Sequence, residues 1–382
     1  MLLPFLLVAA LNNRAHELYL SANYREAEST YRMALRYCDN PLQKATVQNN
    51  LGLMLKETGN IEESHRLVEE ALAARLQSLD ARSPEVAASY GSLATVLVVE
   101  GFFAQALELF KKSYEIRLGH PDTPKDRLAD SLINMAMVEK IQGKFRDSVT
   151  HYRMALELLE SLTAPPTRSL IAVHNNMAAI ESVLDNPAQG RKHLAKALEL
   201  SLQTQGRMHP TRALLLESLA ALELKAKQYA KARIAAGEAE NVIRANFSTE
   251  HPSYASILKM QASIDSAQGL IEAAESKLLV AQRIFTASGP RQAEVADIHY
   301  LLAGIRLRQK REAAALEHLE EAMRIINASM GPGAPSLKGI LALYSSILRR
   351  RERFAEAAKA EQQLQTIFTR TALAKDFAAA IH

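Results

Sequence analysis

"GNIEESHRLVEEAL" (residues 59–72) and "GKFRDSVTHYRMAL" (residues 143–156) share few identities but one skeleton. Each runs Gly, a polar residue, an apolar residue, then Ser at the sixth place and Ala-Leu at the end. A pattern rebuilt further along the chain marks a repeated supersecondary unit. Outward from these two copies, a small residue recurs at Ala15, Gly52, Ala94, Ala136, Ala178, Ala220, Ala262, Ala303 and Ser345. The first step is 37 residues and the others are 41 or 42. A second small residue follows 12 places on in each copy, from Ala27 and Ser64 to Ala315 and Ala357. A third follows seven later, from Ala34 and Ala71 to Ala322, and fails only at Leu364.

Each copy reads as two helices. Between the small residues, apolar ones recur every three or four places, as in Leu107, Leu109, Phe110, Tyr114 and Ile116. Gly59, Gly101, Gly143 and Gly269 stand at the turn inside a copy, where a left-handed residue ends the first helix. Eleven of the thirteen prolines fall between copies, because a helix interior excludes them. Ser83-Pro84 reads as a cap followed by Pro at the first helical position, and Thr123 to Asp126 has capping-box spacing. The expectation is an all-α solenoid of about nine helix-turn-helix units. They cover about 8–44, 45–86, 87–128, 129–170, 171–212, 213–254, 255–295, 296–337 and 338–370, with a capping helix over 371–382. One helix pair cannot bury its apolar face alone; stacking buries it against the next pair, so the product of repetition is a long surface.

The skeleton Leu93-Ala94, Leu97, Gly101, Ala106, Phe110, Ser113 resembles the tetratricopeptide repeat family. The 42-residue period, the loops His120-Pro121, His209-Pro210 and His251-Pro252, and the runs Asn49-Asn50-Leu51-Gly52 and Asn175-Asn176-Met177-Ala178 are similar to the kinesin-light-chain type of repeat. The resemblance spans about residues 8 to 370 and implies a right-handed superhelix with first helices on the inside. It also implies a protein-binding scaffold without catalytic function.

Bulk composition narrows the function classes. The chain has 382 residues, 48% hydrophobic and 23% charged, which suits a folded body. A net charge of +4 gives no overall footprint for nucleic acid or membrane. The single cysteine, Cys38, closes no internal disulfide and reads as a small apolar residue. No Gly-rich phosphate loop, HExxH or Ser-elbow motif occurs, and the eleven histidines are dispersed, so no cofactor or metal is expected. Carboxylates among lysines and arginines read as a solvated surface. "MLLPFLLVAAL" (residues 1–11) is too short to span a bilayer. It fits either a secretory signal without the usual basic start or the apolar beginning of a first helix, so export and a cytoplasmic location both stay open.

Two groups of residues suggest binding. Asn50, Asn134 and Asn176 share one register, two places before the small residue, and Asn49 and Asn175 precede two of them. Asn is a poor helix-interior residue, so its recurrence needs a reason. On the family geometry this register faces the concave wall, where an amide can donate to and accept from an extended peptide backbone. Lys56 and Lys140 add charge along the same wall. The rival reading makes these asparagines bonds between neighbouring units. The second group is Arg306, Arg308, Lys310, Arg311, Arg349, Arg350 and Arg351, in a segment (301–360) with eleven Lys/Arg against six Asp/Glu. It offers an acidic ligand or partner a basic patch, although cations there also complement helix C-termini. No aromatic platform accompanies it, which disfavours nucleic acid. A monomer that binds another protein or peptide is the expected form.

Overall fold

The computed structural model describes residues 2–21, 23–289, 292–334 and 336–372. Helix is the only regular structure among them. The chain divides into two compact units, the first ending at Pro165 and the second running from Pro166 to Ala372. The capping helix expected over 371–382 lies, beyond Ala372, outside the described residues.

Unit 1 holds four helical pairs. These are α1 (Leu2–Leu20) with α2 (Tyr24–Arg36), α3 (Pro41–Glu57) with α4 (Ile61–Ser78), α5 (Pro84–Glu100) with α6 (Phe103–Leu118), and α7 (Lys125–Ile141) with α8 (Phe145–Glu160). Unit 2 holds five. They are α9 (Thr167–Val183) with α10 (Pro187–Gln205), α11 (Pro210–Lys225) with α12 (Tyr229–Asn246), α13 (Pro252–Ala267) with α14 (Ile271–Ala287), α15 (Gln292–Arg308) with α16 (Glu312–Met330), and α17 (Leu337–Arg350) with α18 (Phe354–Ala372). Within each unit, successive helices pack on one another. First helices also approach the first helix of the next pair, as α1 with α3, α3 with α5, α9 with α11 and α11 with α13, while the second helices show no comparable approach. Each stack is therefore tighter on its first-helix side, and that side is the inner face.

The small residues let the two backbones of a pair meet. Ser64 Oγ donates to the carbonyl of Gly52 at 2.6 Å, and Ser148 Oγ does the same to Ala136 at 2.6 Å. A Cβ on Gly52 would come within 2.5 Å of Val68 Cγ2, so this copy has no room even for alanine. Four places after the second small residue stands the bulky wedge between pairs: Tyr31, Val68, Phe110, Tyr152, Leu194, Leu278 and Leu319 are all buried.

Helix boundaries follow local chemistry. Asn40 Oδ1 accepts from Leu42 N at 2.9 Å, and Ser83 Oγ accepts from Val86 N, each just ahead of a proline in the first helical position. His209 and His251 cap α11 and α13 through Nδ1, which accepts from Thr211 N and Ser253 N at 3.2 Å. The His-Pro loops of those copies are thus helix starts. The capping box expected at Thr123 does not form. The helix begins at Lys125 behind Pro124, and Thr123 Oγ1 instead donates at 2.7 Å to the Arg117 carbonyl at the end of α6, which also accepts from His120 N.

The turn inside the second to ninth copies is left-handed whether or not glycine is present. Gly59, Gly101, Gly143 and Gly269 have φ of 86°, 85°, 78° and 82°. Asp185, Lys227, Lys310 and Glu352 take the same place in other copies at φ 58–59°. An L-residue with a Cβ is strained there, by about 1–2 kcal/mol. Lys227→Gly should therefore raise the stability of unit 2 by about 0.5–1 kcal/mol once the added chain entropy is subtracted. Urea unfolding followed by circular dichroism checks it, and a loss of stability would contradict it.

Candidate functional site

The asparagine register lies on the first helices of each unit. On α3, Asn50 is half-buried, and its Nδ2 donates to Asn12 Oδ1 of α1 at 3.0 Å. Part of its amide is thus spent between neighbouring pairs. Asn49 is buried, and its Oδ1 meets no donor. Lys56 Nζ pairs with the adjacent Glu57 at 2.7 Å. On α7, Asn134 is half-buried and its side chain makes no hydrogen bond to any described residue. Lys140 is half-buried on the same helix, and burial holds its ammonium below the usual lysine range. On α9 of unit 2, Asn175 and Asn176 are half-buried, and Asn175 Oδ1 is enclosed without a donor. A buried amide oxygen without a partner costs about 1–3 kcal/mol, so two of them at one register call for a reason.

Around the register, each inner face mixes small, polar and apolar groups. Ser92 of α5 takes the asparagine position between α3 and α7. Val99 and Ile141, near the ends of α5 and α7, are exposed. The combination of amides, hydroxyls and isolated apolar side chains suits an extended chain with bare backbone polar groups.

The basic residues near the C-terminal end are largely answered by acids. Arg306 pairs with Glu275 at 2.7 Å, Arg349 with Glu361 at 2.6 Å and Arg350 with Glu312 at 3.0 Å. Arg308 donates to the Ser266 carbonyl. Lys310, Arg311 and Arg351 are exposed at the turns that follow α15 and α17.

The solvated-surface reading of the carboxylates needs correction. Glu139, Glu223 and Asp265 are buried, at 3%, 3% and 1% exposure. They occupy one register, three residues after the first small residue, and each meets a basic group on a second helix. His151 Nδ1 lies 2.7 Å from Glu139, Arg191 Nε 2.6 Å from Glu223, and Arg233 2.9 Å from Asp265, which also pairs with Lys277. Arg306 and Glu275 form the same rung with charges exchanged. The Arg191–Glu223, Arg233–Asp265 and Arg306–Glu275 rungs tie one pair to the next, whereas His151 and Lys277 reach their acids from the second helix of the same pair. Periodicity alone could have exposed them, since Glu139, Glu223, Asp265 and Arg306 keep the repeat spacing.

Histidines form two equivalent pairs in unit 2. His174 Nδ1 lies 3.0 Å from His193 Nδ1, and His299 Nδ1 lies 3.1 Å from His318 Nδ1, with ring centroids 5.3 Å apart in both. In a neutral pair, one Nδ1–H donates to the other nitrogen. Burial, with His193 and Lys196 nearby, pushes His174 down to about 4. Burial also lowers His299 and His318. No group of three or more metal-ligating side chains occurs among the described residues. No helix among them is long and apolar enough to cross a membrane.

Comparison with known proteins agrees with this architecture. The tetratricopeptide repeat model matches residues 43–119, 85–161, 169–245 and 294–370. No curated protein sequence matches the chain. Among solved structures, a Rap protein complexed with competence and sporulation factor is 15% identical. It covers 96% of this chain and 99% of its own, with a TM-score of 0.60. The apo form of the quorum sensor NprR from B. thuringiensis is 12% identical, with coverages of 84% and 87% and a TM-score of 0.63. The "kinesin light chain nearly identical TPR-like repeats" from Podosopora anserina are 18% identical, with coverages of 55% and 100% and a TM-score of 0.47. Proteins built from this repeat are generally protein-interaction scaffolds without catalytic function. The chain belongs to the tetratricopeptide repeat family.

Proposed function

We propose that this protein is a non-catalytic scaffold that holds an extended peptide segment of another protein on the inner, first-helix faces of its two units. The observation that carries the reading is Asn134, half-buried on a first helix with a side-chain amide that no described residue engages, at the register it shares with Asn50 and Asn176. A peptide backbone would donate to and accept from such an amide at once. The alternative of a basic patch for an acidic partner has less support, because Arg306, Arg349 and Arg350 already pair with glutamates of the same unit.

Affinity capture from the native host tests the proposal, with wild type beside a variant carrying Ala at 50, 134 and 176. Partners lost from the variant, with its helicity intact, are the expected result. The open amide of Asn134 is worth about 1 kcal/mol, so binding should weaken by about fivefold or more. The loss of the Asn50–Asn12 bond should lower stability by about 1 kcal/mol and leave the fold in place. Full retention of partners would return the asparagines to a purely stacking role.

A further inference from the structure

In unit 2, the register of Asn175 continues one repeat later, on the neighbouring α11, as Glu217. Glu217 is half-buried, and no described residue gives it a hydrogen bond or ion pair. One cation acts on it from a distance, Lys259 at the next position of the register on α13. The Lys259 ammonium is engaged by Asp297 of α15 at 3.1 Å. The Glu217 carboxyl is therefore an acceptor on a first helix of unit 2 with no described donor. Leu214, one helical turn before Glu217, is 57% exposed, and Val183, at the end of α9, is 52% exposed.

We propose that the inner face of unit 2 selects a peptide with a positively charged group seated on Glu217, flanked by an apolar side chain against Leu214. This rests on the peptide-scaffold reading and specifies the ligand chemistry for it. A lysine ammonium, an arginine guanidinium or a chain-terminal amine donates several hydrogen bonds at once. It would pair its charge with the carboxylate, as a neutral or acidic group could not. Burial raises the Glu217 carboxyl to about 7, so near neutrality it exchanges a proton for the incoming cation. Binding therefore strengthens as pH rises from 6 to 8.

The test is a phage-displayed random dodecapeptide library panned on the full chain at pH 8. Enriched peptides are then synthesised with free or acetylated N-termini and measured by fluorescence anisotropy on wild type and Glu217→Gln. The expected result is a Lys or Arg at a fixed place, or a required free amine. Its replacement by norleucine, or its acetylation, should weaken binding about tenfold or more on wild type and leave Glu217→Gln unaffected. Peptides that bind wild type equally well after that replacement would overturn the cation proposal and leave the scaffold reading standing. Failure to enrich any peptide over an unrelated helical-repeat control would overturn both. Glu217→Gln removes a buried charge while keeping its shape, so loss of fold does not cloud the comparison.

Discussion

Phe110→Ala should lower the stability of unit 1 by about 3–5 kcal/mol. The ring is 1% exposed and sits in one apolar cluster with Val68 and Leu72 of α4, Val86, Leu93 and Leu97 of α5, and Met135 and Val138 of α7. That cluster joins three consecutive pairs. Repeat stability is the sum of each pair and its interfaces with neighbours, so a cavity here weakens two interfaces together. Urea unfolding of the variant should begin earlier and extend over a broader range. Phe102→Ala is the control: that ring is 53% exposed, and its loss should stay within about 0.5 kcal/mol. Equal effects from the two variants would contradict the wedge assigned to Phe110.

The second large effect belongs to His174. In the unfolded chain it titrates near 6.5, and in the folded chain near 4. Between those values the unfolded chain takes up a proton that the folded chain refuses, so stability is lost as pH falls through that window. The full span is worth about 3 kcal/mol. Glu217 opposes it. Its carboxyl titrates near 4.5 when unfolded and near 7 when folded, so its contribution is lost as pH rises over almost the same range. Wild type can therefore show a shallow profile although both groups titrate. The difference between wild type and His174→Gln isolates the imidazole. The stability advantage of wild type should shrink by about 2 kcal/mol between pH 7 and pH 5. A constant gap would mean that His174 is not held neutral against His193.

The architecture was legible because it is periodic. Small residues at three registers, prolines between copies and glycines at the inner turns announce a helix pair and its repetition. Where glycine is missing, the turn survives at Asp185, Lys227, Lys310 and Glu352, because packing of the pair outweighs one residue's preference. Thr123 shows the opposite limit: a capping box was readable from spacing, but the hydroxyl found the Arg117 carbonyl first. The site was legible as a register and not as a set of partners. Nothing local in the chain says that Asn50 reaches Asn12, or that Asn175 Oδ1 is enclosed without a donor. The buried rungs of Glu139, Glu223 and Asp265 were hidden for a similar reason. Acids among bases look solvated until the stack brings Arg191 or Arg233 over them from the preceding pair.

Site-directed photocrosslinking tests most directly whether the first-helix faces bind the partner. In a Cys38→Ala background, single cysteines would replace Asn134 of α7, Ser218 of α11 and the exposed Arg153 of α8. Each would carry a benzophenone label and be irradiated in host lysate. Partner adducts at positions 134 and 218, and none at 153, are the predicted result. Adducts confined to position 153 would place the partner on the outer helices and contradict the account.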